Sequence, residues 1–225
     1  MGRKKPERQS LRASGWNKLY LPIAIFLLAF CIRFIYLIQI SSSLPFFWAP
    51  ILDELYHDTW AQQIAAGEGG GTEPFFRAPL YVYLLALVYK VVGHNLFLAR
   101  LFHVLLGSLS CVLILLIATK LFNRTVGILS SVTACFYAML VFYDAQLLIT
   151  TLVVFLDLAL IALLIRADEK PSPLNWLLSG AVLGLSAIAR PNILVFLPFI
   201  LIWMIFRFKN RLEGRAILIR AAVFL

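Results

Sequence analysis

The sequence predicts an all-α fold, a polytopic bundle of transmembrane helices, on three observations. Of the 225 residues, 62% are hydrophobic and only 14% charged. The mean hydropathy is +0.90. Apolar blocks close to the ~20 residues of a membrane span recur along the chain, separated by short basic loops. A soluble domain is nearer half apolar and about a quarter charged, so a cytosolic enzyme, a disordered regulator and a disulfide scaffold are excluded. The net charge of +9 sits in short clusters between apolar runs, not in a stripe, which argues against nucleic acid as a partner. Cys31, Cys111 and Cys135 lie singly inside apolar segments and read as small core residues.

Residues 1–18 form a polar tail with six basic residues, expected in the cytoplasm, and 19–225 form the membrane domain. The block 19–40 has span length. It is too long for the apolar core of a cleaved signal and is followed by a poor cleavage site, so it reads as a retained first span. An outer loop, 41–95, follows; it carries Asp53, Glu54, His57, Asp58, Arg77 and the GEGGG run at 67–71, which reads as a hinge. Further apolar blocks cover 79–93, 96–119, 126–143, 145–165, 174–189 and 192–206, and a last one opens at 216.

Parity decides which blocks cross. If 79–93 spans, the three later basic loops (Lys120 and Arg124; Arg166 and Lys170; Arg207, Lys209, Arg211 and Arg215) fall opposite the basic tail. If 79–93 stays at the interface, all fourteen basic residues share the cytoplasmic side, as the positive-inside rule prefers. The block is short, opens at Pro79, and carries Tyr81, Tyr83, Tyr89 and Lys90, residue types that suit a head-group boundary. The result is about seven spans with an interfacial helix in the first outer loop.

This topology gathers Asp53, Glu54, His57, Arg77, Asp144 (in the turn YDAQ) and Arg190 at one membrane face. Ionisable groups at such depth cost several kcal/mol unless paired or hydrated, which marks them as functional candidates. Asp53 stands near the start of a helical rhythm over 54–66 and reads as close to an N-cap, its carboxylate aimed at free backbone N–H groups. That suits either a plain cap or an ionised general base. Asp53 and His57 share a helix face, and Asp53 with Asp144 form a candidate carboxylate pair for a divalent metal. Arg77 and Arg190, each close before a proline, are suited to clamp a lipid phosphate or to snorkel. Lys90 and His57 are further candidates for the same site. Arg33 and Asp157 lie mid-span and are expected to pair with each other; His94 and His103 show no evident partner. Asn123-Arg124-Thr125 is a glycosylation sequon on the cytoplasmic side, expected to be silent.

The stretches RFIYLIQISSSLPFFWAPILDELYHDTWAQQIAAGE, PFFRAPLYVYLLALVYKVVGHNLFLARLFHVLLGSLS, VFYDAQLLITTLVVFL and GLSAIARPNILVFLP together resemble the GT-C glycosyltransferases, in particular the branch of protein O-mannosyltransferases and aminoarabinose transferase. The resemblance implies an inverting glycosyltransferase. It would move a hexosyl or pentosyl group from a polyprenyl-phosphate-linked donor to a protein, lipid or glycan acceptor, on the periplasmic or extracellular face of the cell membrane. It implies Asp53 as general base, Glu54 as its support, Arg77 on the carrier phosphate, Asp144 as the second acidic position, and Arg190 as a weaker phosphate contact. Members of this branch are usually about twice as long, so the chain reads as an N-terminal fragment. A transporter or flippase of lipid-linked sugar is the alternative, although no internal repeat supports it; an inactive truncated scaffold is the other.

The topology has a direct check. With single cysteines and a membrane-impermeant maleimide on intact cells, Lys90→Cys is expected to label and Lys120→Cys is not. The reverse pattern would overturn the parity assignment.

Overall fold

The computed structural model describes residues 17–68, 77–208 and 220–224; residues 1–16 of the basic tail, 69–76, the loop bases Lys209, Arg211 and Arg215, and residues 216–219 and 225 of the last apolar block lie outside the described residues. Every described element is helical: α1 (Asn17–Ser43), a 3-10 turn (Pro45–Phe47), α2 (Leu52–Ala66), α3 (Leu80–Val92), α4 (Leu96–Leu121), α5 (Arg124–Phe136), α6 (Ala138–Asp144), α7 (Thr150–Glu169), α8 (Pro173–Ala189), a second 3-10 turn (Pro191–Phe196) and α9 (Leu197–Phe208).

Four segments are long and apolar enough to cross a membrane: Leu19–Ser43, Leu96–Leu121, Thr150–Glu169 and Pro191–Phe208; α5 with α6 makes a fifth if that bent pair is one span. α3 and α8 are apolar but shorter. The helix starts follow local chemistry. Asn95 and Asn123 accept from the backbone N–H of Leu98 and Val126, each at 3.0 Å, and Ser172 caps α8 with Pro173 at its first position. The sequon asparagine is thus the N-cap of α5. At the other end of α2, Gly67 takes φ 88° and closes the helix with bonds to Gln63 and Ile64, so the first glycine of the expected hinge is a C-cap.

α4 is the central helix and packs against α1, α5 and α7. Helices in lipid gain little from hydrophobic transfer, so they associate through close packing of small residues. α5 presents such a stripe, with Gly127, Ser131, Ala134 and Cys135 all buried. α3 packs on α2, and α7 on α8.

Three sequence expectations change here. The block 126–143 is not one straight helix: it breaks at Tyr137 and bends by 58°. No proline or glycine sits at the break. Instead Arg33 donates Nη1–H bonds to the carbonyls of Cys135 and Ala29, both at 3.4 Å. A side chain inserted into the backbone ladder bends a helix in this way. Second, Arg33 pairs with Asp144 (Nε to Oδ2 2.6 Å) and not with Asp157; Asp157 accepts from Ser186 at 2.6 Å. The sequence places Asp157 mid-span with Arg33, and Asp144 in a turn; the bend between α5 and α6 accompanies the pairing of Asp144 with the arginine. Third, α3 does not present its tyrosines as a belt. Tyr81 and Tyr89 are buried in a core shared with α2, and Tyr83 alone of the three is exposed.

The Arg33–Asp144 pair depends on Gly107 of α4. A Cβ there would overlap the Asp144 carboxylate. Breaking a buried ion pair costs about 3–5 kcal/mol, so Gly107→Ala is expected to lower thermal stability in detergent by a loss of that order. An unchanged melting temperature would show that the close approach is not needed.

Candidate functional site

The site is built on the first turns of α2. Successive residues of an α-helix point about 100° apart, so the adjacent acids Asp53 and Glu54 face different surroundings. Glu54 turns inward with His57, Asp58 and Ala61, at the i, i+3, i+4, i+7 spacing of a packed face; these last three are buried. Asp53 turns outward, its side chain 60% exposed. The N-cap of α2 is Ile51, which makes no side-chain cap. The expectation that Asp53 caps the helix is therefore corrected: its partner is Arg77, Oδ1 to Nη2 at 2.9 Å. That hydrogen bond, followed by the arginine's charge, holds the Asp53 carboxyl below its ordinary range. Arg77 also lies over the Tyr56 ring, 4.8 Å from its centroid.

Glu54 is engaged on both oxygens. Oε2 accepts from Arg100 Nη2 at 2.9 Å, and Oε1 accepts from the backbone N–H of Leu147 at 2.9 Å. Arg100, buried in α4, donates a second bond to the Phe47 carbonyl (2.9 Å) and stacks over that ring at 4.3 Å. Two further bonds hold the turn after α6. His57 Nδ1 donates to the carbonyl of Leu147 (3.1 Å), and His103 Nδ1 to that of Gln146 (2.7 Å). Burial lowers the His57 pKa, so it is a neutral clasp whose proton stays on Nδ1. Leu52, just before Asp53, has φ 52°, the one positive φ outside glycine among the described residues. Such strain, of order 1–3 kcal/mol, persists only where neighbours over-determine the backbone, as Glu54 and its partners do here.

Behind this layer Asp58 is buried and accepts from Gln62 (2.8 Å), Tyr89 (2.5 Å) and His94 (2.9 Å). His94 and His103 therefore both have partners, contrary to the sequence reading, which cannot see a contact made across helices.

A cavity of about 550 Å³ opens beside these groups. Its polar lining is Asp53, Glu54, Arg100 and Gln146; its apolar lining comes from the end of α1, the 3-10 turn and the turn after α6. The structure thus brings Asp53, Glu54, His57, Arg77 and the 145–148 turn together. Asp144 adjoins that turn but is buried and directed at Arg33, away from Asp53. Arg190 is exposed and lines a separate cavity of about 120 Å³ with Asp157 and Ser186. Lys90 is exposed in the last turn of α3 and does not line the main cavity. Among the described residues no three His, Cys, Asp or Glu side chains converge as a metal set. Arg100 is the residue the sequence reading missed. Its signal was an arginine inside the apolar block 96–119, the same signal that singled out Arg33.

A family model described as dolichyl-phosphate-mannose-protein mannosyltransferase matches residues 76–225, which include Arg77, Arg100, Asp144 and Arg190. Asp53 and Glu54 precede the matched region. No curated protein and no solved structure matches the chain.

The Glu54–Arg100 pair has a stability signature. Arg100→Leu leaves Glu54 largely buried without its cation and is expected to cost about 3 kcal/mol in thermal unfolding. Adding Glu54→Gln to it is expected to recover part of that loss. Additive losses in the double variant would show that the two side chains are not coupled.

Proposed function

The chain belongs to the dolichyl-phosphate-mannose-protein mannosyltransferase family, and on that premise we propose that it transfers a sugar from a polyprenyl-phosphate carrier to an acceptor hydroxyl at the membrane face where α2 lies. The observation that carries this reading is Asp53: an exposed carboxylate, kept ionised by Arg77, on the wall of a cavity of about 550 Å³.

The chemistry follows from these groups. Asp53 accepts the acceptor's hydroxyl proton as its oxygen bonds to the sugar's anomeric carbon. The bond from that carbon to the phosphate oxygen breaks on the opposite face, which inverts the centre. The carrier phosphate leaves with an added negative charge, and Arg77 stabilises it. In the structure Asp53 and Arg77 bond each other. Exposed pairs of this kind are worth about 0–1 kcal/mol, so exchanging the carboxylate for a phosphate costs little. The contact with the Tyr56 ring keeps the guanidinium in place during the exchange. Glu54 and Arg100 act as positioning residues by fixing α2 to the 145–148 turn, and Asp144 does so from below through Arg33. Arg190 and Lys90 have no part in this assignment.

The membrane placement belongs to the same proposal: tail and basic loops cytoplasmic, α3 at the outer interface, about seven spans in the whole membrane domain, and the site facing the periplasm or exterior. The bond between Glu54 and Leu147 supports it, since it joins the first loop and the turn after α6 at one end of the bundle. The positive-inside count supports the direction.

The test is transfer of radiolabelled sugar from a polyprenyl-phosphate donor by the full chain in membranes. Asp53→Asn is expected to lose about 10²–10⁴-fold in rate while retaining donor binding; undiminished transfer would remove Asp53 as the base. The pH profile supplies a second reading. A carboxyl with a lowered pKa stays ionised further into acid, so the acid limb is expected below the ordinary carboxylate range, and Arg77→Gln is expected to move it upward.

A further inference from the structure

A second cavity, of about 490 Å³, lies at the other end of α4, between the last turns of α4 and α7 and the side of α9. Its size is that of a small-molecule site. Apolar side chains, among them Leu121, Ile161 and Phe199, line its depth, and Trp203 stands on its wall, 37% exposed. Charged groups are confined to one rim: Lys120, Asp168 and Glu169. Lys120 pairs with Glu169, and Arg207 holds Asp168 by two bonds of 2.6 and 2.9 Å.

The position along α4 says what environment this is. From Arg100, at the Asp53 site, to Lys120 the helix rises about 30 Å at 1.5 Å per residue. That is the thickness of the hydrocarbon layer. With the Asp53 site at one interface, the charged rim falls at the head-group level of the other, and the apolar wall descends into the acyl region.

The charge of the lining selects among lipids. Arg207 holds both oxygens of Asp168, so the groups left to a ligand at the rim are one carboxylate, Glu169, and one ammonium, Lys120; an anionic head group can pair with Lys120 but leaves Glu169 without its cation. A primary ammonium finds Glu169 as its acceptor, and the phosphate beside it finds Lys120. A quaternary ammonium has no N–H to donate. Forming these contacts requires the exposed Lys120–Glu169 pair to open, which costs about 0–1 kcal/mol. We propose that this cavity binds a zwitterionic phospholipid with a primary-ammonium head group, in the leaflet opposite the Asp53 site.

The test uses the full chain in phosphatidylcholine nanodiscs carrying equal fractions of acyl-brominated phosphatidylethanolamine, phosphatidylglycerol or phosphatidylcholine. The Trp203 signal is the difference between wild type and Trp203→Phe. Brominated phosphatidylethanolamine is expected to quench it with about two- to fivefold higher apparent affinity than either other lipid, the scale of one exposed charge-assisted contact. Glu169→Gln is expected to erase most of that preference without altering events at the Asp53 site. Native mass spectrometry supplies a readout independent of tryptophan: retained phosphatidylethanolamine falls in Glu169→Gln. Equal quenching by all three lipids, a preference that survives Glu169→Gln, or no quenching by any of them would each overturn the proposal.

Discussion

The buried arginine of α1 is the constraint on which the end of the bundle that carries α2 depends. A guanidinium at membrane depth must be paired and hydrogen-bonded, and Arg33 meets that requirement from three sources: the Asp144 carboxylate and the carbonyls of Ala29 and Cys135. Taking the Cys135 carbonyl interrupts the ladder between α5 and α6; taking Asp144 fixes where α6 ends. The turn that follows is thereby delivered to α2, where Glu54, His57 and His103 hold its backbone. Gly107 leaves room for the pair. One desolvated charge is thus bonded next to the turn that lines the cavity.

The adjacent acids show how helix geometry separates roles. Neighbouring positions on α2 face in different directions, so one carboxylate is enclosed by an arginine, a backbone N–H and packed side chains while the other keeps solvent on one side. Both oxygens of the enclosed one are already engaged in holding the fold. The exposed one has a single exchangeable partner and a charge that its partner protects. A general base needs that second environment, and it needs the first to hold the helix still.

Much of this was legible in the sequence. Composition fixed the class, because no water-facing surface can be built from so few polar residues. Apolar block lengths located the helices, since a span must satisfy its own backbone. The acidic pair ahead of a helical rhythm marked α2, and Arg77, singled out for the same membrane face as Asp53, stands beside it. These are local properties: hydropathy, periodicity and charge read over short windows.

Partnership was decided only by the tertiary structure. By depth alone Arg33 was expected to meet Asp157; with the chain bent at Tyr137 it meets Asp144 instead. The inward turn of Tyr81 and Tyr89, the burial of Glu54 against Arg100, and the separation of Arg190 into another cavity likewise follow from how helices pack against one another. A sequence states which groups must be neutralised in a low-dielectric interior. Which neighbour does so is a matter of three-dimensional distance, and that is settled when the helices assemble.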